Sequence, residues 1–314
     1  MKVGIPRTLS YYTYYPMWKT FFEKLGVEVI ISDPTSKQIL DDGMREAVAD
    51  ACVPIKLYHG HVINLINKVD YIFIPRMVSV GREDTFCPKF LGLPDMITCS
   101  LENLPNLITT RIDLKKGKLE LLKVFYSVGS IFTKNILQII KAARASMISL
   151  KEYNKGFLEG GIPPLNLKRD DIKGDITLAV LGYPYMLYDP YLSLDLIKKL
   201  LSFGVSVVTP EMLSKSQKAR QAPKLKKTLF WHYSNNVMRT VHHFFENGGI
   251  DGIIHVTAFS CGPDFIVDKL IELESRERNI PFLTITFDEH TGEEGLRTRL
   301  EAFVDMLRLR RTAI

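Results

Sequence analysis

Cysteine and tryptophan are scarce in this chain, with four Cys and two Trp among 314 residues. So few cysteines cannot build the dense framework of a small secreted disulfide scaffold, and a chain of this length can form its own core without one. No apolar run reaches the roughly 18 residues that would suggest a membrane span. Neither a GxxxxGK[ST] loop nor a GxGxxG follows the first β-like run, which disfavours direct ATP or dinucleotide binding. The opening MKVGIPRTLS lacks the apolar core and small-residue cleavage site of a signal peptide. Together these absences lead us to expect a cytoplasmic protein whose thiols are free, catalytic or metal-bound.

What is present is ordinary for a soluble globular protein: 46% hydrophobic and 24% charged residues, with a net charge of +6. The basic excess falls in runs at Lys115-Lys116, Lys215–Lys227 and Arg308–Arg311. Such runs read first as solvated faces, and second as attraction for acidic partners or anionic substrates such as CoA esters. Nucleic acid is not expected, because no basic motif interleaved with aromatics is found.

The organising feature is a divergent internal repeat. Residues 2–35 and 176–211 each give a β-branched run, a turn rich in Tyr and Pro, an amphipathic helix, a glycine stop at Gly26 or Gly204, and a second apolar strand. The apolar faces are Trp18, Phe21, Phe22 and Leu25 in one copy, and Leu194, Ile197, Leu200 and Leu201 in the other. Residues 69–88 and 250–263 are then a strand and a loop ending in Cys and Pro, and 104–113 and 280–289 a fourth strand. Alternation of this kind predicts two similar α/β lobes, each a doubly wound, mostly parallel four-stranded sheet. We place the lobes at 1–117 and 175–314, joined by a helical connector and linker at 118–174. Residues 214–227 read as an exposed loop. In such sheets ligands bind beyond the carboxyl ends of the strands, where both strand–loop–Cys segments deliver their cysteine.

Cys52, Cys87 and Cys261 share a local grammar: each is followed within two residues by proline, as Cys-Val-Pro, Cys-Pro and Cys-Gly-Pro. Proline suits the first helical turn, so each cysteine is expected at a helix N-terminus, where the dipole favours the thiolate that binds metal. Cys99 has no such proline and no counterpart in the other half, and reads as a spare thiol. Buried core cysteines remain the plain alternative. Zinc remains another, with His59 and His61 to be considered for a fourth ligand.

ACVPIKLYHGHV, FCPKFLGLPD, FSCGPD and DEHTGEEGLRTRLEAF together resemble the 2-hydroxyacyl-CoA dehydratase superfamily, in particular its short branch associated with CoA-substrate-specific activases. The resemblance covers nearly the whole chain. It implies one [4Fe–4S] cluster in the cleft between two α/β lobes, held by Cys52, Cys87 and Cys261, with the fourth iron open to substrate or another ligand. It also implies an ATP-dependent activase as electron donor for radical dehydration or reduction of a small substrate, such as a CoA thioester, in a homo- or heterodimer. A non-catalytic electron-transfer or accessory subunit, and a metal-free two-lobed binding protein, are the rival readings.

Other candidates border the expected cleft. Glu289 and His290 could move protons, and Thr291 could contact substrate or cap the helix that follows. Arg76 could pair with an anionic substrate group and Ser79 could contact substrate beside it, while Ser260 could contact substrate or bond a cluster sulfur. The tyrosines of YYTYYP and YPYMLYDPY are expected to pack between the lobes or roof the cleft.

Overall fold

The computed structural model describes residues 1–81, 84–117, 119–222 and 229–312. It is a mixed α/β structure with parallel sheets, and it divides into two compact units. Unit 1 is Met1–Tyr153 with Phe230–His232; unit 2 is Asn154–Leu229 with Tyr233–Ile314.

Unit 1 opens with β1 (Lys2–Ile5), α1 (Tyr11–Lys24), β2 (Glu28–Ile31), α2 (Lys37–Glu46) and α3 (Val53–Leu65). Next come β3 (Tyr71–Phe73), β4 (Arg76–Ser79), α4 (Pro88–Leu91), α5 (Leu93–Ser100), β5 (Asn106–Ile108) and β6 (Arg111–Asp113). The long helices α6 (Leu119–Gly129) and α7 (Ile136–Leu158) follow, the last five residues of α7 being counted in unit 2. The main sheet runs β2-β1-β3-β5 with every pair parallel. Beyond Ile74 the last two strands continue as a separate parallel pair, β4-β6, with a bulge between Met77 and Ser79. The core is aromatic: Trp18, Phe21, Phe22, Phe73 and Phe125 are buried and meet at centroid distances between 4.4 and 6.1 Å. Burial of each such ring stabilises the unit by about 1.5–3 kcal/mol.

Pro16 lies inside α1 and has no N–H for the Tyr12 carbonyl one turn back. That carbonyl instead accepts from the Tyr153 hydroxyl of α7 at 2.7 Å, and the Pro16 carbonyl accepts from Ser149 at 3.3 Å. A proline that would orphan a buried acceptor thus ties α1 to α7.

Unit 2 contains β7 (Ile176–Gly182), α8 (Pro184–Tyr188), α9 (Leu196–Ser202), β8 (Val205–Val208), α10 (Lys215–Gln221), α11 (His232–Asn247), β9 (Gly252–Ala258), α12 (Gly262–Glu277), β10 (Phe282–Phe287) and α13 (Glu293–Thr312), with the first residue of α11 counted in unit 1. Its sheet runs β10-β9-β7-β8, again all parallel. Counted within each unit, both sheets have the order 2-1-3-4, so the sequence repeat is a repeat of topology. The order reverses between the first and third strands, which opens a crevice at their carboxyl ends. Gly26 and Gly204 end their helices at φ +77° and +74°, the left-handed geometry that glycine adopts without strain.

Two expectations change. The second amphipathic helix is short, because Leu194 and Asp195 take left-handed φ values of 50° and 53° and α9 starts only at Leu196. The expected loop at 214–227 begins as helix α10: Ser214 caps it by accepting from the Gln217 N–H, while the Gln217 side chain accepts from the Ser214 N–H. Residues 223–227 of that stretch lie outside the described residues. No described helix is long and apolar enough to cross a membrane.

Candidate functional site

All three proline-flanked cysteines stand at the N-cap of a helix. Cys52 caps α3 with Pro54 in the first turn, Cys87 caps α4 ahead of Pro88, and Cys261 caps α12 ahead of Gly262-Pro263. Each has extended backbone geometry, the usual entry to a helix. Cys261 follows β9, the third strand of its sheet, and so lies at the carboxyl edge.

In unit 1 the fold brings Cys52 and Cys87 together, near enough that charge on one opposes charge on the other. The N–H groups of Ile55 at Cys52, and of Lys89 and Phe90 at Cys87, point at the sulfurs, and the Lys89 ammonium faces Cys52. Helix geometry therefore favours the thiolate at both positions, as expected from the sequence. Burial nevertheless wins: both thiols are pushed above their ordinary value, chiefly by desolvation, and Cys87 also by Cys52. Beside Cys87 lies an apolar wall of Phe86 and Phe90, both buried, with rings 5.2 Å apart. A metal cation would remove this opposition, since metal binding expels the thiol protons.

Helix α3 is held by close backbone packing against α2. A Cβ on Gly60 would stand 1.8 Å from the Ile39 carbonyl oxygen, and one on Gly43 1.9 Å from that of Lys56. Only glycine permits this approach, and it sets where the N-terminus of α3, and hence Cys52, lies. The strand carrying Arg76 and Ser79 is fixed in turn by Thr85, which pairs with residues 230–232. The Thr85 N–H donates to the Phe230 carbonyl at 3.0 Å, and the His232 N–H to the Thr85 carbonyl at 2.7 Å.

The histidines after Cys52 are occupied. His59 Nδ1 bonds the Ile55 carbonyl at 2.8 Å. His61 Nδ1 and Nε2 bond Ser32 and Thr35 at 2.9 and 3.0 Å, and burial, aided by Arg7, pushes its value down to about 3. Both serve packing. Cys99 is exposed on α5. Among the described residues no three His, Cys, Asp or Glu side chains are grouped to hold a metal ion.

The remaining candidates have these settings. Arg76 makes a two-pronged ion pair with Asp95 at 2.5 and 2.6 Å and donates to the Leu91 carbonyl. Ser79 is fully buried and donates to Asp113 at 2.7 Å. Ser260 is exposed, with a left-handed φ of 63° immediately before Cys261. Thr291 donates to Asp288 Oδ1 at 2.7 Å while accepting from the Asp288 N–H, closing the turn before α13. His290 is exposed, its backbone N–H donating to Asp288, and Glu289 beside it is half-buried.

A feature missed in the sequence lies beneath Cys261. His255 on β9 is fully buried between two aspartates of α12, with Nδ1 2.9 Å from Asp268 Oδ1 and Nε2 3.3 Å from Asp264 Oδ1. The available signal was a single histidine in an otherwise apolar strand, followed by two aspartates one helical turn apart.

Fold and site thus define an α/β protein with parallel sheets that sets three similar cysteines at helix N-termini, two of them within electrostatic reach of each other. The family described as CoA enzyme activase uncharacterised domain (DUF2229) matches residues 2–213, and the chain belongs to this family. The family described as 2-hydroxyglutaryl-CoA dehydratase, D-component, matches residues 191–307. The chain is therefore a dehydratase-type, activase-associated component of the 2-hydroxyacyl-CoA dehydratase group. No curated protein matches it.

Proposed function

We propose that this protein is an iron–sulfur component in which Cys52, Cys87 and Cys261 hold one [4Fe–4S] cluster. An ATP-hydrolysing activase in the cytoplasm would supply low-potential electrons for dehydration or reduction of a small substrate, for example a CoA thioester. Each unit would form one doubly wound lobe, 1–117 and 175–314, with 118–174 as connector. The observation that carries this reading is the placement of Cys52 and Cys87 at two helix N-termini within electrostatic reach of each other, with the same grammar repeated at Cys261. The donor set suits the group: soft thiolates on backbone N–H groups, one of them facing the Lys89 ammonium, beside an apolar wall.

When bound through three cysteines, such a cluster supplies one-electron chemistry and an iron able to polarise a carbonyl. The chain's residues would do the rest. The N–H groups of Ile55, Lys89 and Phe90 would stabilise ligand sulfurs, and Phe86 and Phe90 would exclude water. His290 and Glu289 are proposed to exchange protons with substrate, and Ser260 and Thr291 to contact it. Arg76 and Ser79 would join them only by exchanging their present partners, Asp95 and Asp113.

A second reading, a non-catalytic electron-transfer or accessory subunit, is favoured by the larger part of the chain matching an activase-associated domain. Electron paramagnetic resonance of the anaerobic, activase-reduced protein separates the two. A spectrum altered by a 2-hydroxyacyl-CoA, but not by free CoA, supports the enzyme. A spectrum unaltered by any acyl-CoA removes it.

A further inference from the structure

The His255 cluster is unevenly satisfied. Asp268 Oδ1 receives both His255 Nδ1–H and the Thr284 hydroxyl, the latter at 2.7 Å, and its other oxygen faces Lys269 at 3.5 Å. Asp264 is only 1% exposed, yet among the described residues neither of its carboxylate oxygens receives a hydrogen bond, and neither does His255 Nε2 find an acceptor. The 3.3 Å approach of Nε2 to Asp264 is a charge contact rather than a directed bond. A buried carboxylate without hydrogen bonds is costly, and only a charged neighbour offsets it.

The other elements against β9 bring little more charge. Strand β7 has no ionisable side chain, β10 contributes Thr284, and α8 contributes the hydroxyls of Tyr185 and Tyr188, the latter bonded to Thr209 and Glu211. The imidazole is thus governed by Asp264 and Asp268. Burial alone would strip its proton, but the two carboxylates outweigh burial and push its value up to about 9. At neutral pH His255 is therefore an imidazolium held between the two aspartates, with the Lys269 ammonium on the far oxygen of Asp268. Both aspartates lie in the first two turns of the helix that Cys261 caps.

We propose that Asp264 is a positioning residue for Cys261: through its contact with His255 it anchors the first turn of α12, and its carboxylate, which receives no hydrogen bond among the described residues, makes the surroundings of the Cys261 sulfur more negative. The second part rests on Cys261 being a cluster ligand and implies a group held at low potential, since negative charge nearby disfavours an added electron.

The test has two arms on the full-length chain. In the metal-free protein, long-range proton–nitrogen NMR of the imidazoles is expected to show His255 protonated on both nitrogens at pH 7 in the wild type. In Asp264→Asn its titration should fall by more than about one pH unit. A neutral His255 at pH 7 in the wild type, or an unmoved titration in the variant, overturns the pair. Because the first of these needs no variant, it decides even if Asp264→Asn does not fold. In the second arm, the reconstituted Asp264→Asn protein should have a less negative midpoint potential by spectroelectrochemistry, and His255→Gln a more negative one. Unchanged potentials overturn the electrostatic role. Failure of wild-type protein to assemble any cluster overturns the proposed function instead, and the NMR arm still decides the pair.

Discussion

Replacing Gly60 by alanine tests the link between packing and site. The added Cβ would stand 1.8 Å from the Ile39 carbonyl oxygen, where ordinary contact begins at 3.4 Å. The atom it meets is backbone, so no rotamer change relieves it, and α2 and α3 must part by about 1.5 Å. Overpacking of this kind costs about 1–3 kcal/mol, which at an ordinary denaturant dependence lowers the urea midpoint by roughly 1 M. The assay is direct, because both tryptophans, Trp18 and Trp231, belong to unit 1 and their fluorescence reports that unit. Gly92→Ala is the control: its Cβ would meet the Pro88 carbonyl oxygen at an ordinary 3.5 Å, and its stability should stay within about 0.5 kcal/mol of wild type. Separation of the helices should also move Cys52 and speed its alkylation in Gly60→Ala. Equal midpoints for the two variants, with Cys52 no more reactive, would refute the argument that this contact places the thiol.

Three further outcomes are expected. In the metal-free chain, iodoacetamide should label exposed Cys99 well before Cys52 and Cys87 at pH 7, and the rates of the latter two should keep rising above pH 9, as peptide mapping would show. Buried, neutral His61 binds a proton only near pH 3, whereas the unfolded chain binds one near 6.5; unit 1 should therefore lose stability as pH falls from 6.5 toward 3, with a shallower loss in His61→Gln. Tyr153→Phe removes the donor to the Tyr12 carbonyl left by Pro16 and should cost about 1–3 kcal/mol in urea denaturation followed by tryptophan fluorescence.

Much of the local order could be read from the sequence because it rests on short-range rules. Gly26 and Gly204 stop helices at positive φ, and Pro54, Pro88 and Pro263 mark helix starts one or two residues after a cysteine. The repeat likewise foretold parallel sheets, because a short β-α-β crossover brings its two strands side by side in the same direction. Features set by distant partners were hidden. Burial outweighs the helix dipole at Cys52 and Cys87, and at Cys87 the Cys52 thiol adds to it, through neighbours distant in sequence. The β4-β6 pair and the docking of residues 230–232 on Thr85 join segments with no shared pattern. Helix α10 hid behind a loop-like composition, although its Ser214–Gln217 capping box was in plain view. The His255 trio required knowing that β9 and α12 face each other.

The central claim, one cluster held by three separated cysteines, is tested most directly by iron and sulfide analysis of anaerobically purified protein. The account predicts about four irons and four sulfides per chain in the wild type and in Cys99→Ala, with loss of both elements in Cys52→Ala, Cys87→Ala and Cys261→Ala. A wild-type chain without iron after anaerobic reconstitution, or a full complement in Cys261→Ala, would contradict it.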